Sequence, residues 1–202
     1  MARREAAASP PWLAPAATVR QIQHDISQAA ADAVVLIDGP SGAGKSTLAD
    51  YLVATWPDAV VPQLVRLDDI YPGWNGLDAG AEQVTMGLLR PRRAGEPAGW
   101  QRWDWTTGTA AEWHPVDAGR PIIVEGCGAL ARANAAVSDI RIWLDADELS
   151  RKERALQRDG GAFDAYWDQW QAEWDAYCRR ENPAASATAR LYSTGAVEAS
   201  RD

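Results

Sequence analysis

The sequence contains only two cysteines, Cys127 and Cys178, and neither stands in a C-x-x-C pair or beside a group of histidines. This scarcity argues against a disulfide framework and against a zinc site, and it favours a reducing compartment. The chain also lacks an apolar run of about 18 residues and an N-terminal apolar core of the signal-peptide kind. We therefore expect a soluble, cytoplasmic protein without a membrane partner.

Positive charge is also scarce, because 20 lysines and arginines stand against 28 aspartates and glutamates, for a formal net charge of −8. Most of such a surface would repel nucleic acid, so a small-molecule partner is favoured. Only Lys45 and Lys152 are lysines, and neither lies in the Asn-Lys-x-Asp element with which a GTPase binds its base. A Ras-like switch is therefore disfavoured.

The length of 202 residues and the 47% hydrophobic content are those of one globular domain with a real core. Residues 1–17 are rich in alanine and proline, and we expect them to form a flexible lead-in. Residues 18–202 would then form the single domain.

The most informative stretch is GPSGAGKST, in which Gly39, Gly44, Lys45 and Ser46 fit the P-loop pattern G-x-x-x-x-G-K-[ST]. An apolar run that predicts a buried strand precedes it at residues 33–37, and helical spacing follows. Backbone N–H groups of such a loop surround the β-phosphate of a nucleotide, its lysine reaches the β- and γ-phosphates, and its serine ligates Mg²⁺. We predict nucleotide binding by Gly39, Ser41, Gly42, Ala43, Gly44, Lys45, Ser46 and Thr47.

Hydrophobic periodicity predicts helices that alternate with strands, which indicates an α/β domain with a mainly parallel sheet. Residues 90–97, RPRRAGEP, are typical of a loop, and residues 100–116 predict a β-hairpin around a Thr-Thr-Gly turn. The predicted strands are 33–37, 59–67, 121–126 and 139–147. The predicted helices are 19–26, 47–55, 79–89, 149–158 and 163–178.

Acidic residues follow two of the predicted strands, where ligands of open α/β sheets bind. Asp68 or Asp69 could take a proton from an acceptor hydroxyl, or hold Mg²⁺ through water. The alternative is that the pair only caps a turn before Pro72. Glu125, which ends the run PIIVE, is a candidate to contact the substrate or to support a residue that does.

Three arginines at steps of three and four, Arg151, Arg154 and Arg158, lie on one face of a predicted helix. Positive side chains that close over phosphates neutralise transition-state charge and exclude water. Arg154 and Arg158 are the first candidates for this role. The alternative is a solvated helix face with i, i+4 charge pairs.

The order of GPSGAGKST, DDIY, IIVEG and R-x-x-x-R-D resembles the uridine kinase-like branch of P-loop kinases, which includes phosphoribulokinase and pantothenate kinase. The resemblance covers roughly residues 30–180. It implies a five-stranded parallel sheet with helices on both faces, a hairpin insert, a lid helix and transfer of the ATP γ-phosphate to a small-molecule hydroxyl with Mg²⁺. It also implies that Asp68 is the catalytic base, that Tyr71 lies near the acceptor, that Glu125 matches the Glu-Gly element, and that Arg154 and Arg158 belong to the lid.

The chain departs from the family at the hairpin that holds uridine. The family has Tyr-Asp-Phe followed by histidine and arginine, whereas RWDW keeps only Asp104, with Gly108 and Ala110 at the later positions. Tryptophans could stack on a flat ligand instead, although each could equally pack in the core. The candidates are Trp74, Trp103, Trp105 and Trp113, while Trp167, Trp170 and Trp174 are expected in the core.

The sequence leaves the acceptor open. A nucleoside is the first expectation, and a sugar, a vitamin precursor or an antibiotic are alternatives. A nucleoside monophosphate kinase could use Arg90, Arg92 and Arg93 to hold the acceptor phosphate. An ATP-binding regulatory module that hydrolyses slowly or not at all is a further alternative. The choice between ATP and GTP, the oligomeric state and the division of roles between Asp68 and Asp69 also stay open.

Overall fold

A computed structural model of the chain describes residues 10–158 and 160–194, so Asp159 of the R-x-x-x-R-D motif and most of the predicted lead-in lie outside the described residues. The strands are β1 Leu13–Ala14, β2 Val34–Asp38, β3 Gln63–Arg66, β4 Ala98–Asp104, β5 Thr109–Val116, β6 Ile122–Glu125, β7 Ile140–Ala146 and β8 Ala189–Ser193. The α-helices are α1 Ala16–Gln28, α2 Lys45–Ala54, α3 Leu77–Gln83, α4 Arg90–Ala94, α5 Arg132–Ala135, α6 Glu148–Arg158, α7 Trp167–Glu181 and α8 Pro183–Ser186.

The main sheet has six strands in the order β1-β8-β7-β2-β6-β3. The five strands from β8 to β3 are parallel, which confirms the predicted parallel sheet, and β1 adds a short antiparallel edge on β8. β2 lies in the middle, and all five of its residues are buried, as a strand covered on both faces requires. The loop that follows β2 therefore leaves the sheet at its centre.

Helices cover both faces of the sheet because the side chains of β2 alternate between two cores. Val34 and Leu36 pack in the core that contains Leu77 of α3 and the tryptophans of α7. Val35 and Ile37 pack in the other core, with α1 and α2. This arrangement confirms the predicted α/β class.

The prediction of a loop over residues 90–97 is wrong, because Arg90–Ala94 form α4. A π-helical turn, Val84–Leu89, follows α3 and changes the hydrogen-bond register just before Pro91. Pro91 is tolerated there because the first turn of a helix does not need its N–H. The short helix is held by Arg92, whose buried guanidinium donates to the main-chain oxygens of Asp32 and Arg120.

Two further boundaries differ from the sequence prediction. Residues 13–17, which the sequence analysis counts in the lead-in, contain β1 and the start of α1, because Leu13 is buried and pairs opposite Ser193. The second parallel strand is shorter than the predicted 59–67 and covers only Gln63–Arg66. No helix among the described residues is both long and apolar enough to cross a membrane.

Candidate active site

The P-loop connects β2 to α2 and bends through left-handed glycines. Gly42 has φ +77°, and a Cβ built there would lie 1.9 Å from the main-chain oxygen of Arg151. Gly39 has φ +150°, and its Cβ would meet the oxygen of Leu144 at the same distance. Only glycine lets the loop approach β7 and α6 so closely. Ala43, a residue of the loop, is buried in the core that contains α1 and α2.

Asp38, the last residue of β2, fixes the P-loop to the turn after β6. Its carboxylate accepts hydrogen bonds from the N–H groups of Gly39, Gly128 and Leu130, at 2.7, 3.1 and 2.8 Å. The hydroxyl of Tyr177 in α7 donates a fourth bond, at 2.7 Å. Burial raises the pKa of Asp38, although these bonds oppose the shift. The sequence analysis did not identify this residue.

Lys45 is buried at the start of α2 and points into the loop. Its Nζ donates to the main-chain oxygen of Pro40 at 3.0 Å and lies 3.6 Å from the Sγ of Cys127. The thiol in turn lies 3.6 Å from the Oγ of Ser41 and 3.4 Å from the oxygen of Gly39. Cys127 therefore packs against the phosphate-binding loop, a role that no spacing in the sequence indicated.

Helix α6 brings two of the predicted arginines to the P-loop. Arg154 Nε donates to the main-chain oxygen of Gly42 at 2.9 Å, while its Nη2 is buried without a hydrogen-bond partner in the described residues. Arg158 Nη2 lies 3.7 Å from the carboxylate of Asp68. Arg151 instead faces α7, where it donates to Gln171 and lies over the ring of Trp167.

The predicted acidic residues lie beside the loop. Asp68 and Asp69 belong to a short 3-10 turn, Leu67–Asp69, directly after β3. Desolvation raises the pKa of Asp69, and the charge of Asp68 raises it further. Glu125 is buried at the end of β6 and pairs with Arg66 at 3.1 Å. Burial also raises the pKa of Glu125, against the opposing effects of Lys45 and a hydrogen bond with Ser46.

The residues near Ser46 fit a magnesium ion better than a transition metal. Among the described residues no three histidine, cysteine, aspartate or glutamate side chains form a metal cluster. Mg²⁺ needs no such cage, because it keeps several waters and binds one or two carboxylates together with substrate phosphates. The hydroxyl of Ser46 and the carboxylates of Glu125 and Asp68 line the P-loop cavity and could supply oxygen ligands of this kind.

Two cavities meet beside the P-loop, at Asp68. The P-loop cavity has a volume of about 460 Å³, and its walls include Lys45, Ser46, Thr47, Glu125 and Arg154. The second, which we call the aromatic cavity, has a volume of about 570 Å³. Ser41, Asp68 and Arg158 line both cavities. Asp68 thus lies where a ligand in one cavity would face a ligand in the other.

The aromatic cavity is walled by rings from three parts of the chain. Trp74 stacks at 4.9 Å on both Phe163 and Tyr166, and it lies 4.9 Å from Trp105 of the hairpin turn. Trp170 of α7, which the sequence analysis placed in the core, is buried but lines this cavity as well. Of the predicted substrate residues, Asp69, Tyr71, Trp74 and Trp105 line it, whereas Glu125 lines the P-loop cavity and Asp104 lines neither.

Polar groups of these rings are tied to the protein. Trp105 donates its indole N–H to the main-chain oxygen of Asp68 at 2.8 Å, and Trp170 donates to Ser41 Oγ at 2.9 Å. Tyr71 is buried, and its hydroxyl donates to the oxygen of Cys127 at 2.7 Å. Asp104 lines neither cavity, because its carboxylate accepts from the N–H groups of the hairpin turn.

The arginines considered for an acceptor phosphate lie elsewhere. Arg92 binds main-chain oxygens just before β2 and β6, and Arg93 pairs with Asp139, just before β7. These positions are at the amino ends of the parallel strands, whereas the P-loop follows the carboxyl end of β2. Arg90 contacts the sulfur of Met86 in its own helical segment. None of the three lines either cavity.

A central parallel sheet, a P-loop between its middle strand and α2, and an arginine-bearing helix over that loop define the P-loop kinase fold. No family model matches the chain, and no curated protein matches it either. Among solved structures it is similar to a "possible uridine kinase" from Bacillus stearothermophilus, with 20% identity, a TM-score of 0.57, and coverage of 84% of this chain and 98% of that one. A "putative fructose transport system kinase" from Silicibacter sp. TM1040 gives 18% identity, a TM-score of 0.49, and coverage of 82% and 90%.

Proposed function

We propose that the protein is a Mg²⁺-dependent kinase that transfers the γ-phosphate of ATP to a hydroxyl group of a small molecule. The observation that carries this proposal is the meeting of the two cavities at Asp68. A nucleotide on the P-loop and an acceptor in the aromatic cavity would bring their reacting atoms together beside this carboxylate.

The P-loop cavity supports the donor half of the reaction. The loop N–H groups and the N-terminus of α2 suit the β-phosphate, and Lys45 would exchange its bond to Pro40 for the phosphates. Arg154 Nη2, which has no hydrogen-bond partner in the part of the chain that the structure describes, is a buried donor beside the same loop, and a phosphate oxygen would satisfy it. Mg²⁺, held by Ser46 with Glu125 or Asp68, would neutralise charge on the β- and γ-phosphates.

Asp68 would accept the proton of the attacking hydroxyl. The hydroxyl oxygen forms a bond to the γ-phosphorus while the bond from that phosphorus to the β,γ-bridging oxygen breaks, and ADP leaves. Arg158 would exchange Asp68 for the transferring group, which frees the base and balances the developing charge. Asp69 would support Asp68, and the rings would orient the acceptor.

The proposal is tested by ADP release from ATP and Mg²⁺ with a panel of nucleosides, nucleoside monophosphates, sugars and other alcohols. Lys45→Ala serves as the blank. Turnover that depends on one acceptor class and vanishes in the blank would support a kinase. ATP binding without acceptor-dependent turnover would overturn the proposal in favour of a regulatory module, and preference for a phosphorylated acceptor would favour a monophosphate kinase.

A further inference from the structure

We propose that the acceptor is an organic cation, a small molecule that carries both a hydroxyl group and a positive charge, and that the aromatic cavity binds this charge. The inference rests on the proposed function, since it names the acceptor of that reaction. It depends on three observations: the charges of the cavity walls, the rings that surround them, and the polar groups that those rings have already used.

The first observation is the balance of charge in the aromatic cavity. Among the described residues, its walls carry two carboxylates, Asp68 and Asp69, and one cation, Arg158. Arg158 also lines the P-loop cavity, and in the proposed reaction its charge is needed at the phosphates. The acceptor would then face two neighbouring carboxylates. The formal net charge of −8 adds a long-range attraction for cations.

The position of the two carboxylates agrees with this view. Asp68 and Asp69 are consecutive residues of one 3-10 turn and both line the cavity, so their negative charges repel each other. A cation placed between the rings and this pair would relieve the repulsion. Two adjacent carboxylates in the wall of a cavity are an unfavourable surface for an anionic or electron-rich ligand and a favourable one for a cation.

The second observation is the number of rings. Six aromatic side chains of the described residues line the cavity, and the electron-rich faces of such rings attract cations within about 6 Å. Trp105 and Tyr166 remain 41% and 40% exposed although they stand in this cluster. Exposed aromatic surface beside carboxylates is the arrangement that recognises ammonium groups in aromatic cages.

The third observation concerns hydrogen bonding. A neutral nucleobase is recognised through donors and acceptors on its edges, and unpaired buried polar groups are costly. The indole N–H groups of Trp105 and Trp170 and the hydroxyl of Tyr71 are already bonded to the protein. These three rings therefore have no free polar hydrogen for a ligand, and the exposed carbon surface of Trp105 suits a methylated cation better than a neutral base.

The test uses pairs of ligands that differ in charge but hardly in shape. Choline is compared with its neutral isostere 3,3-dimethyl-1-butanol, and the cationic 1-methyladenosine with adenosine, all at pH 7. Binding to the full chain is measured by calorimetry with Mg²⁺ and a non-hydrolysable ATP analogue, so that the phosphates engage Arg158, and again without nucleotide. We expect the cation of at least one pair to bind about tenfold or more tightly than its neutral partner, with a preference that shrinks as salt is raised.

The variant Asp69→Asn keeps the shape of the side chain and removes its charge. It should weaken cation binding several-fold and leave the neutral ligands unchanged. Asp164→Asn is the matched control, because this carboxylate lies next to Phe163 in the chain but does not line the cavity. Equal effects of the two variants would contradict the inference.

The outcomes separate this inference from the kinase proposal. Equal affinity within both pairs, or no binding by either cation, overturns the inference. Transfer of phosphate to neutral alcohols as efficiently as to cations also overturns it and leaves the kinase proposal standing. Strong preference for a cation without phosphate transfer to any acceptor would support the cation site and overturn the kinase proposal.

Discussion

Gly42 provides the sharpest test of the contact between the P-loop and helix α6. In Gly42→Ala the new Cβ would lie 1.9 Å from the oxygen of Arg151, and real Cβ atoms hardly ever approach another atom within 3.0 Å. The oxygen or the loop must therefore retreat by about 1 Å, the difference between these two distances. Arg154 follows in the same helix and binds Gly42 directly, so its guanidinium would move as well.

The expected magnitude has two parts. A left-handed conformation costs a residue with a Cβ about 1–2 kcal/mol, partly offset by the smaller entropy of the unfolded chain. Overpacking adds about 1–3 kcal/mol. Gly95→Ala isolates the first part, because Gly95 has φ +72° but its Cβ would meet no atom within 4 Å. The two variants should therefore differ in free energy of unfolding by about 1–3 kcal/mol.

Urea denaturation of both variants measures this difference, and titration with ATP measures its effect on the loop. We expect Gly42→Ala to weaken ATP binding and to lower kcat/KM by about 10²-fold, since a misplacement near 1 Å can have this effect. Gly95→Ala should bind ATP normally. Equal unfolding free energies and normal ATP binding in both variants would refute the packing of α6 on the P-loop.

Three further predictions follow from the site. Asp68→Asn should lower kcat by about 10²–10⁴-fold with little change in ATP affinity, whereas the control Asp164→Asn should keep the original kcat. Steady-state assays measure both variants, and an unchanged kcat in Asp68→Asn would exclude Asp68 as the base. Arg154→Lys should lower kcat by about 10²–10³-fold, whereas Lys152→Arg on the same helix should leave kcat unchanged. A normal kcat in Arg154→Lys would show that Arg154 does not stabilise the charge of the transition state. Tyr177→Phe removes a hydrogen bond to the Asp38 carboxylate and should lower the free energy of unfolding at neutral pH by about 1.5–3 kcal/mol. Burial raises the pKa of Asp38 above its ordinary value of 3.8, and the hydrogen bond from Tyr177 opposes this shift, so the variant should raise this pKa further. The loss in free energy of unfolding caused by Tyr177→Phe should therefore shrink as the pH falls toward 3.8, because Asp38 is then protonated in both proteins. Urea denaturation at several pH values measures the difference in free energy of unfolding between the original protein and the variant. A difference that does not change with pH would contradict the hydrogen bond from Tyr177 to the Asp38 carboxylate.

The parts of the fold that the sequence predicted are those encoded locally. The P-loop lies within one stretch, and its flanking strand and helix have clear periodicity. β8 was missed because ARLYS is only five residues long and mixes arginine and serine with apolar residues, so that its strand conformation depends on its parallel pairing with β7. α4 was missed because Pro91 and the neighbouring arginines suggest a loop. The contacts that hold this helix are made by Arg92 with residues far away in the sequence, so local patterns do not reveal them.

The candidate site shows the same division. Asp68, Arg154 and Arg158 were predicted from their positions after a strand and along a helix, and all three line the P-loop cavity. Trp170 was assigned to the core because of its helical periodicity. Periodicity identifies which face of a helix points inward, but it does not show that a cavity lies next to that face. Asp38 and Cys127 gave no signal, because their roles depend on the turn after β6 approaching the P-loop.

The central position of β2 has a consequence for the order in which parts of the chain fold during synthesis. The P-loop segment leaves the ribosome before the two strands that flank β2, because β6 and β7 are synthesised long after it. Such non-local parallel pairing forms slowly and late in folding. A nascent chain would therefore display its glycine-rich loop without a platform to shape it, and the capacity to bind nucleotide would arise only when the sheet closes around its middle strand.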